Sequence, residues 1–185
     1  MTIYLIRHGK TEANEKHLYC GSTDLPLSEP GRAELQNVHY DIKKVRSLTS
    51  GMKRTNETLQ ILFGDVSHDA DPRFREVDFG IFEMQSFEQL KDTPDYGAWL
   101  TGDNDANIPP NGESGVQMKD RVLGAFSEIK ENTCIITHGG VIAAIMEHLF
   151  PEENKNRYQW QPKPGSGYLL SDAATKPDTW SFREL

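Results

Sequence analysis

Short apolar runs that stop at polar turns recur along the chain and indicate its strands. Residues 3–6 (Ile-Tyr-Leu-Ile) and 133–137 (Thr-Cys-Ile-Ile-Thr) have the unbroken apolar or β-branched pattern of buried strands. The first run ends at Arg7-His8-Gly9 and the second at His138-Gly139-Gly140. Three weaker patterns predict further strands at 45–48, 167–170 and 179–182.

Helical patterns lie between these runs. Thr55, Leu59 and Leu62 recur at helical spacing, and Gly64 is a natural helix terminator, so we predict a helix over 52–63. Ser28 is a predicted N-cap, with proline in the first turn that follows. The stretch 72–80 is expected to be extended, and 82–110 to hold short helical pieces. The complete set of predicted helices is 11–16, 28–39, 52–63, 113–130 and 141–150.

This alternation of strands and helices predicts an α/β fold. We expect a three-layer sandwich with a mostly parallel central sheet and helices on both faces, formed by residues 1–185 as a single domain. Ligands of such folds bind beyond the carboxyl ends of the strands, where His8 and His138 are expected to lie.

Composition and charge narrow the classes of partner. The 185 residues are 36% hydrophobic and carry a net charge of −8, which is typical of a soluble globular protein. The chain has no basic stripe and an acidic surface, so we expect neither nucleic acid nor membrane as a partner. Cys20 and Cys134 form no CxxC motif, and the N-terminus lacks a signal-peptide pattern, so a cytoplasmic location is predicted.

An acidic protein that binds an anion needs a local cluster of bases, and the strand ends offer one. Arg7 precedes His8, Arg54 begins a predicted helix, and His138 and Gly139 open another. Arginine donates paired hydrogen bonds to phosphate, and the free N–H groups of a helix N-terminus favour anions. The sequence therefore predicts a phosphate site at this edge of the sheet.

Six sequence blocks, in order, carry a resemblance to a known family. They are Leu5–Asn14 (LIRHGKTEAN), Thr23–Gly31 (TDLPLSEPG), Ser50–Thr58 (SGMKRTNET), Arg75–Glu83 (REVDFGIFE), Asn111–Ser114 (NGES) and Thr137–Gly140 (THGG). In these blocks the chain resembles the histidine phosphatase superfamily, also called the phosphoglycerate mutase-like family, and within it the phosphatase branch. The chain departs from the family pattern at Lys10, at Gly51 and at Met84, which directly follows the fourth block. We expect these departures to affect substrate fit and not the type of reaction.

The resemblance implies a role for each matching residue. His8 is the expected nucleophile, with its second ring nitrogen held by a backbone carbonyl, and Glu76 is the expected proton donor to the leaving alcohol. Neither a metal nor another cofactor is expected, because bases supply the positive charge. The residues expected to bind the substrate phosphate are Arg7, His8, Asn14, Thr23, Arg54, His138 and Gly139.

The resemblance also implies that the segment 77–113 covers the substrate, so its composition bears on the identity of that substrate. Lys91 is its only base, whereas a phosphoglycerate mutase must hold a carboxylate and a second phosphate. We therefore predict a small phosphomonoester with an uncharged or aromatic organic part, of which α-ribazole 5′-phosphate is one example. The aromatic residues expected to contact it are Phe79, Phe82, Phe87, Tyr96 and Trp99.

Two other functions are kept as hypotheses, a cofactor-dependent phosphoglycerate mutase and a non-catalytic module that binds a phosphorylated ligand. Some assignments also have simpler interpretations. Arg54 taken alone fits an ordinary surface helix, and Asp78 and Glu83 lie close enough in sequence to compete with Glu76 as the acid.

Overall fold

A six-stranded sheet lies at the centre of the computed structural model, which describes residues 1–42, 45–172 and 180–185. Its strands follow one another across the sheet in the order β3-β2-β4-β1-β5-β6. They are β1 (Thr2–Arg7), β2 (Arg46–Thr49), β3 (Asp69–Ala70), β4 (Thr133–Thr137), β5 (Gly167–Asp172) and β6 (Trp180–Glu184).

The sheet is mixed, with parallel strands where the chemistry is expected. β3, β2, β4 and β1 pair in parallel, whereas β5 is antiparallel to both β1 and β6. The registers place Arg7 opposite Thr137, and Thr49 opposite Ile136. The carboxyl ends of β2, β4 and β1 therefore meet at one edge of the sheet.

Helices cover both faces of the sheet, as the three-layer prediction requires. The helices are α1 (Glu12–Glu15), α2 (Glu29–Leu35), α3 (Lys53–Phe63), α4 (Phe87–Leu90), α5 (Pro94–Leu100), α6 (Gly115–Ser127), α7 (Gly139–Leu149) and α8 (Arg157–Trp160). Ile3, Leu5 and Ile135 pack on the face covered by α6 and α7, while Ile6 and Ile136 pack on the face covered by α3. No helix among the described residues has both the length and the apolarity needed to cross a bilayer.

Several predicted boundaries are wrong, each for a local reason. The helix capped by Ser28 ends at Leu35 and not at 39, and the Asn37 side chain donates to the Ala33 carbonyl at that end. The helix predicted over 113–130 begins at Gly115, because Ser114 and Gln117 form a capping box.

The stretch 72–80 is not extended throughout. Pro72–Phe74 forms a 3₁₀ turn, since Asp71 accepts the Arg73 N–H, and a second turn covers Gly80–Phe82. The two-residue strand β3 has no counterpart among the predictions. Of the strand predicted at 179–182, residue 179 lies outside the described residues, and the described strand starts at Trp180.

Candidate active site

Polar residues follow the three adjacent parallel strands and meet at their carboxyl ends. Ser50 follows β2, His138 follows β4, and His8 follows β1. The rings of His8 and His138 lie edge to face, with their centroids 5.1 Å apart. The fold thus brings together two residues that are separated by most of the chain.

The His8 ring is held in one tautomer. It is buried, and its Nδ1–H donates to the Gly9 carbonyl at 2.7 Å, since a carbonyl can only accept. Its Nε2 makes no hydrogen bond to any described residue. Burial, followed by the charges of Arg54 and Arg7, holds the pKa of His8 well below its ordinary value. The imidazole is therefore neutral, with a free lone pair on Nε2.

His138 is likewise buried and neutral. Its Nδ1 accepts from Arg54 Nε at 3.3 Å, so its Nε2 carries the proton and donates to Ser50 Oγ at 2.9 Å. Burial is the main reason why its pKa lies well below the ordinary value, and Arg54 and His8 add to the effect. Both ring nitrogens of His138, which we expected to bind the substrate phosphate, are thus used by Arg54 and Ser50, and the neutral ring lies against His8 without a free N–H.

Arg54 is almost completely buried, at 1% exposure, which excludes the ordinary surface interpretation. Its Nη1 donates to the Thr23 carbonyl at 2.8 Å and its Nη2 to the Gly21 carbonyl at 2.7 Å. Burial lowers the pKa of Arg54, but an arginine in a protein stays charged. The guanidinium is thus fixed by a loop, residues 21–23, that the fold places over it.

Glu83 organises that loop. Its carboxylate accepts the backbone N–H groups of Gly21, Ser22 and Thr23 at 2.9 to 3.2 Å. The Thr23 hydroxyl donates to Glu83 Oε2 at 2.6 Å. The Thr23 hydroxyl donor, which we expected at the edge of the phosphate site, is thus occupied, and it is the Thr23 carbonyl that holds Arg54.

Arg7, which precedes His8 in the chain, has a buried donor without a partner. Nη1 donates to the Pro162 carbonyl at 2.9 Å, whereas Nε is buried without a hydrogen-bond partner, the single such side-chain atom among the described residues. A Cβ built on Gly139 would come within 3.1 Å of Arg7 Cζ, which is tighter than ordinary van der Waals contact, so the glycine favours this close approach. Because an unpaired buried donor is costly, this N–H indicates a site for an anion.

Asn14 presents a second donor to the same cavity. Its Oδ1 accepts from the backbone and the hydroxyl of Thr11 at 3.0 and 3.1 Å. Its Nδ2 makes no hydrogen bond within the described chain, and Asn14 lines the cavity together with Arg7. This arrangement leaves the amide N–H groups free for a ligand oxygen.

Glu76 lies at the N-terminus of α7. Its Oε2 accepts the Gly140 N–H at 2.9 Å and its Oε1 accepts the Val77 N–H at 3.0 Å. The competing carboxylates are used elsewhere, Glu83 in the loop and Asp78 as an acceptor from Ser22 and Gly80. Of the three acids, Glu76 is the one that lines the cavity beside Arg7.

A cavity of about 710 Å³ leads away from these groups. Gly140, Ala143 and Ala144 of α7 form one small-residue wall, and Glu147 follows on the same helix face. Apolar side chains from the segment 77–113 line the opposite part of the cavity: Phe79, Phe87, Tyr96, Trp99 and Leu100.

The five predicted aromatic contacts differ in accessibility. Phe82 does not line the cavity, and Phe82 and Tyr96 are buried in a small core of their own with Leu90. Phe87 is half-exposed at the cavity, whereas Trp99 is partly buried against the small core. The segment therefore uses part of its aromatic surface to stabilise itself.

Three residues that organise the site were not among the predicted site residues. Ser50 belongs to the third motif block, so the motif offered a signal for it. Glu83 was considered only as a rival acid, although its position in the fourth block marks it. Arg121, which contacts the segment around Glu76, lies outside every motif block.

Comparison with known proteins places the chain in a family. The family described as histidine phosphatase superfamily (branch 1) matches residues 3–183. The adenosylcobalamin/alpha-ribazole phosphatase of Salmonella typhimurium is 33% identical over 80% of this chain and 79% of its own. The probable phosphoglycerate mutase GpmB of Cronobacter sakazakii is 30% identical over 94% of this chain and 92% of its own.

Solved structures agree with this placement. A putative alpha-ribazole-5′-P phosphatase from Escherichia coli superposes with a TM-score of 0.84 at 26% identity, covering 100% of this chain and 95% of that one. A phosphoglycerate mutase from Thermus thermophilus superposes with a TM-score of 0.78 at 27% identity, covering 100% of this chain and 98% of that one. The shared fold extends over the whole chain, while the relatives carry two different functional names.

Proposed function

The chain belongs to the histidine phosphatase superfamily, and from that premise we propose that it hydrolyses a small phosphomonoester through a phosphohistidine at His8. The observation that carries the proposal is the pairing of a free, neutral Nε2 on His8 with the unpartnered buried Nε–H of Arg7. The first is a nucleophile and the second a donor for a phosphoryl oxygen.

The first half-reaction transfers the phosphoryl group to the enzyme. The lone pair of His8 Nε2 attacks phosphorus, the P–N bond forms, and the P–O bond to the organic group breaks. The leaving oxygen takes a proton from protonated Glu76. The Nδ1–H of His8 stays hydrogen-bonded to the Gly9 carbonyl, and this bond stabilises the positive charge on the ring.

The second half-reaction regenerates the enzyme. Glu76, now a carboxylate, takes a proton from water, the water oxygen attacks phosphorus, and the P–N bond breaks to return neutral His8 and inorganic phosphate. Arg7, Arg54 and the N–H groups that open α7 stabilise the charge on the equatorial oxygens throughout. These bases supply the charge neutralisation, so the proposed reaction has no metal step.

The cavity supports a substrate with a bulky organic part of low charge. Its volume of about 710 Å³ and its apolar wall suit a group much larger than glycerate. Glu147, about two turns along α7 from Gly140, lines the cavity without an ion-pair partner among the described residues and would repel a second anion. With the relatives' names, these features favour α-ribazole phosphate as a candidate substrate.

The alternatives make different demands on the same cavity. A phosphoglycerate mutase needs bases for a carboxylate and a second phosphate. Two bases, Lys119 of α6 and Arg157 of α8, line the α6 and α8 side of the cavity. Arg157 pairs with Asp105, so Lys119 alone is left there to bind a carboxylate or a second phosphate. A binding module needs no proton donor, whereas Glu76 places a carboxyl group in the cavity beside Arg7.

The test is hydrolysis of an aryl phosphate by wild type and His8→Ala, with a chelator present. We expect turnover by wild type that survives the chelator and is lost in His8→Ala. Quenching in alkali during turnover should leave one phosphoryl group on wild type and none on the variant, because phosphohistidine survives alkali. His68→Ala, which alters an exposed histidine, is the matched control.

The outcomes separate the three hypotheses. Full turnover by His8→Ala, or turnover that needs a metal, contradicts the proposal. Phosphoglycerate interconversion that depends on the bisphosphate, without net hydrolysis, establishes the mutase. Tight binding of inorganic phosphate without turnover of any phosphomonoester establishes the binding module.

A further inference from the structure

The segment that carries Glu76 has no strand partner, yet its backbone is fixed. Residues 75–79 lie outside any helix or strand. Side chains nevertheless bind the four successive carbonyl groups of residues 73–76. Thr137 Oγ1 donates to the Phe74 carbonyl at 2.7 Å, and Arg121 contacts the other three.

Arg121 uses its whole guanidinium for this purpose. Nη1 donates to the carbonyls of Arg73 and Arg75 at 2.8 and 2.7 Å, and Nη2 donates to the Glu76 carbonyl at 3.0 Å. Nε donates to Glu113 Oε2 at 3.1 Å, and Nη2 also binds Glu113 Oε1. The five N–H groups of an arginine are thereby matched to five acceptors.

Glu113 extends the same network to the other end of the segment 77–113. Its carboxylate accepts the Asp78 N–H at 3.3 Å, and its own N–H donates to the Asp78 carbonyl at 3.0 Å. The side chains of Arg121 and Glu113 are only 25% and 22% exposed, so solvent screens this ion pair less than an open surface pair. A fully engaged arginine therefore joins α6 to the backbone on both sides of Glu76.

We propose that Arg121 is a positioning residue for the proton donor Glu76. This inference rests on the proposed function, because it concerns the acid of that reaction. Arg121 holds the Glu76 main chain, which sets where the carboxyl group meets the leaving oxygen. A small displacement of the Glu76 carboxyl group slows proton transfer to the leaving oxygen, while substrate binding and the His8 nucleophile are retained.

Comparing substrates with different leaving groups distinguishes a misplaced proton donor from a general structural defect. An alkyl phosphate needs a proton on its leaving oxygen, whereas p-nitrophenyl phosphate releases a stable anion and depends little on the acid. Arg121→Met should therefore lower kcat/KM for an alkyl phosphate at least about tenfold more than for p-nitrophenyl phosphate, within the range that general acids contribute. Glu76→Gln sets the upper limit of this selective loss.

The experiment measures both substrates with wild type, Arg121→Met, Arg121→Lys and Glu76→Gln. Arg46→Met is the matched control, because the Arg46 guanidinium makes the same type of ion pair, with Asp69, and donates to no backbone carbonyl of the described residues. If Arg121→Met does not fold, Arg121→Lys carries the test, since it keeps the charge but loses the planar fork.

The outcomes distinguish this inference from the proposed function. A selective loss on the alkyl phosphate in the Arg121 variants, absent in Arg46→Met, supports the positioning role. Equal loss on both substrates, or no loss, overturns it while the phosphatase stands. If wild type hydrolyses neither substrate, the proposed function fails and the role of Arg121 fails with it.

Discussion

The two buried histidines should make the protein lose stability at mildly acidic pH. His8 and His138 are held neutral in the folded state, with pKa values well below the ordinary 6.5, mainly because burial disfavours the charged ring. The unfolded chain exposes both rings, so it binds two more protons than the folded state once the pH falls below about 6.5. The free energy of unfolding must therefore fall as the pH falls through that value.

The magnitude follows from proton linkage. At one pH unit below the unfolded pKa, each neutral buried histidine costs about 1.4 kcal/mol of stability, so the pair costs about 2.8 kcal/mol between about pH 7.5 and about pH 5.5. That is a large share of the 5–15 kcal/mol typical of folded domains. Replacing either ring by Asn removes one titrating group, so His8→Asn and His138→Asn should each lose only about 1.4 kcal/mol over the same range.

The assay is urea unfolding at both pH values, followed by tryptophan fluorescence. Trp160 is fully buried and reports on the core. The buffer must be free of phosphate, because an anion bound to the native site would add its own stabilisation. His68→Asn changes an exposed ring and should behave as wild type. A wild-type loss below about 1 kcal/mol, or losses in both Asn variants equal to the wild-type loss, would refute the reasoning.

Three further changes test the remaining parts of the site. Glu83→Gln replaces one carboxylate oxygen by an amide N–H₂, which cannot accept the backbone N–H groups of the loop 21–23. It should lower the free energy of unfolding by about 1–3 kcal/mol in urea titrations, whereas the exposed control Glu88→Gln should not. Gly140→Ala places a Cβ 2.4 Å from Glu76 Oε1 and should therefore displace the carboxyl group. We expect kcat for an alkyl phosphate to fall by about a hundredfold, and an unchanged kcat would contradict the placement of the acid. Arg54→Lys loses the planar fork, and steady-state kinetics should show kcat/KM reduced by about 10²–10³; a smaller loss than tenfold argues against a phosphate clamp.

Arg7, His8 and His138 could be predicted from the sequence because the patterns that mark them are local. Each of these residues directly follows a buried strand. The apolar run and the polar turn after it are enough to locate Arg7 and His8 at one strand end and His138 at another. The parallel sheet brings both strand ends to one edge. The contact between the two histidine rings also depends on β1 and β4 being neighbours, which the strand order of the sheet decides. The wrong helix ends reflect caps and side-chain contacts that act over a single turn.

The sequence by itself determined the fold class, the order along the chain of the strands and longer helices apart from β3, and the residue types at the reacting centre. Only the tertiary structure decided which groups are free and which are used: Arg7 Nε is unpartnered, Thr23 is occupied by Glu83, and Phe82 packs inside the segment 77–113. It also brought Arg121 to the carbonyls of Arg73, Arg75 and Glu76, which lie 45 to 48 positions earlier in the chain. Periodicity and capping are set by neighbours in the chain, whereas hydrogen-bond satisfaction depends on which distant groups the packing makes adjacent.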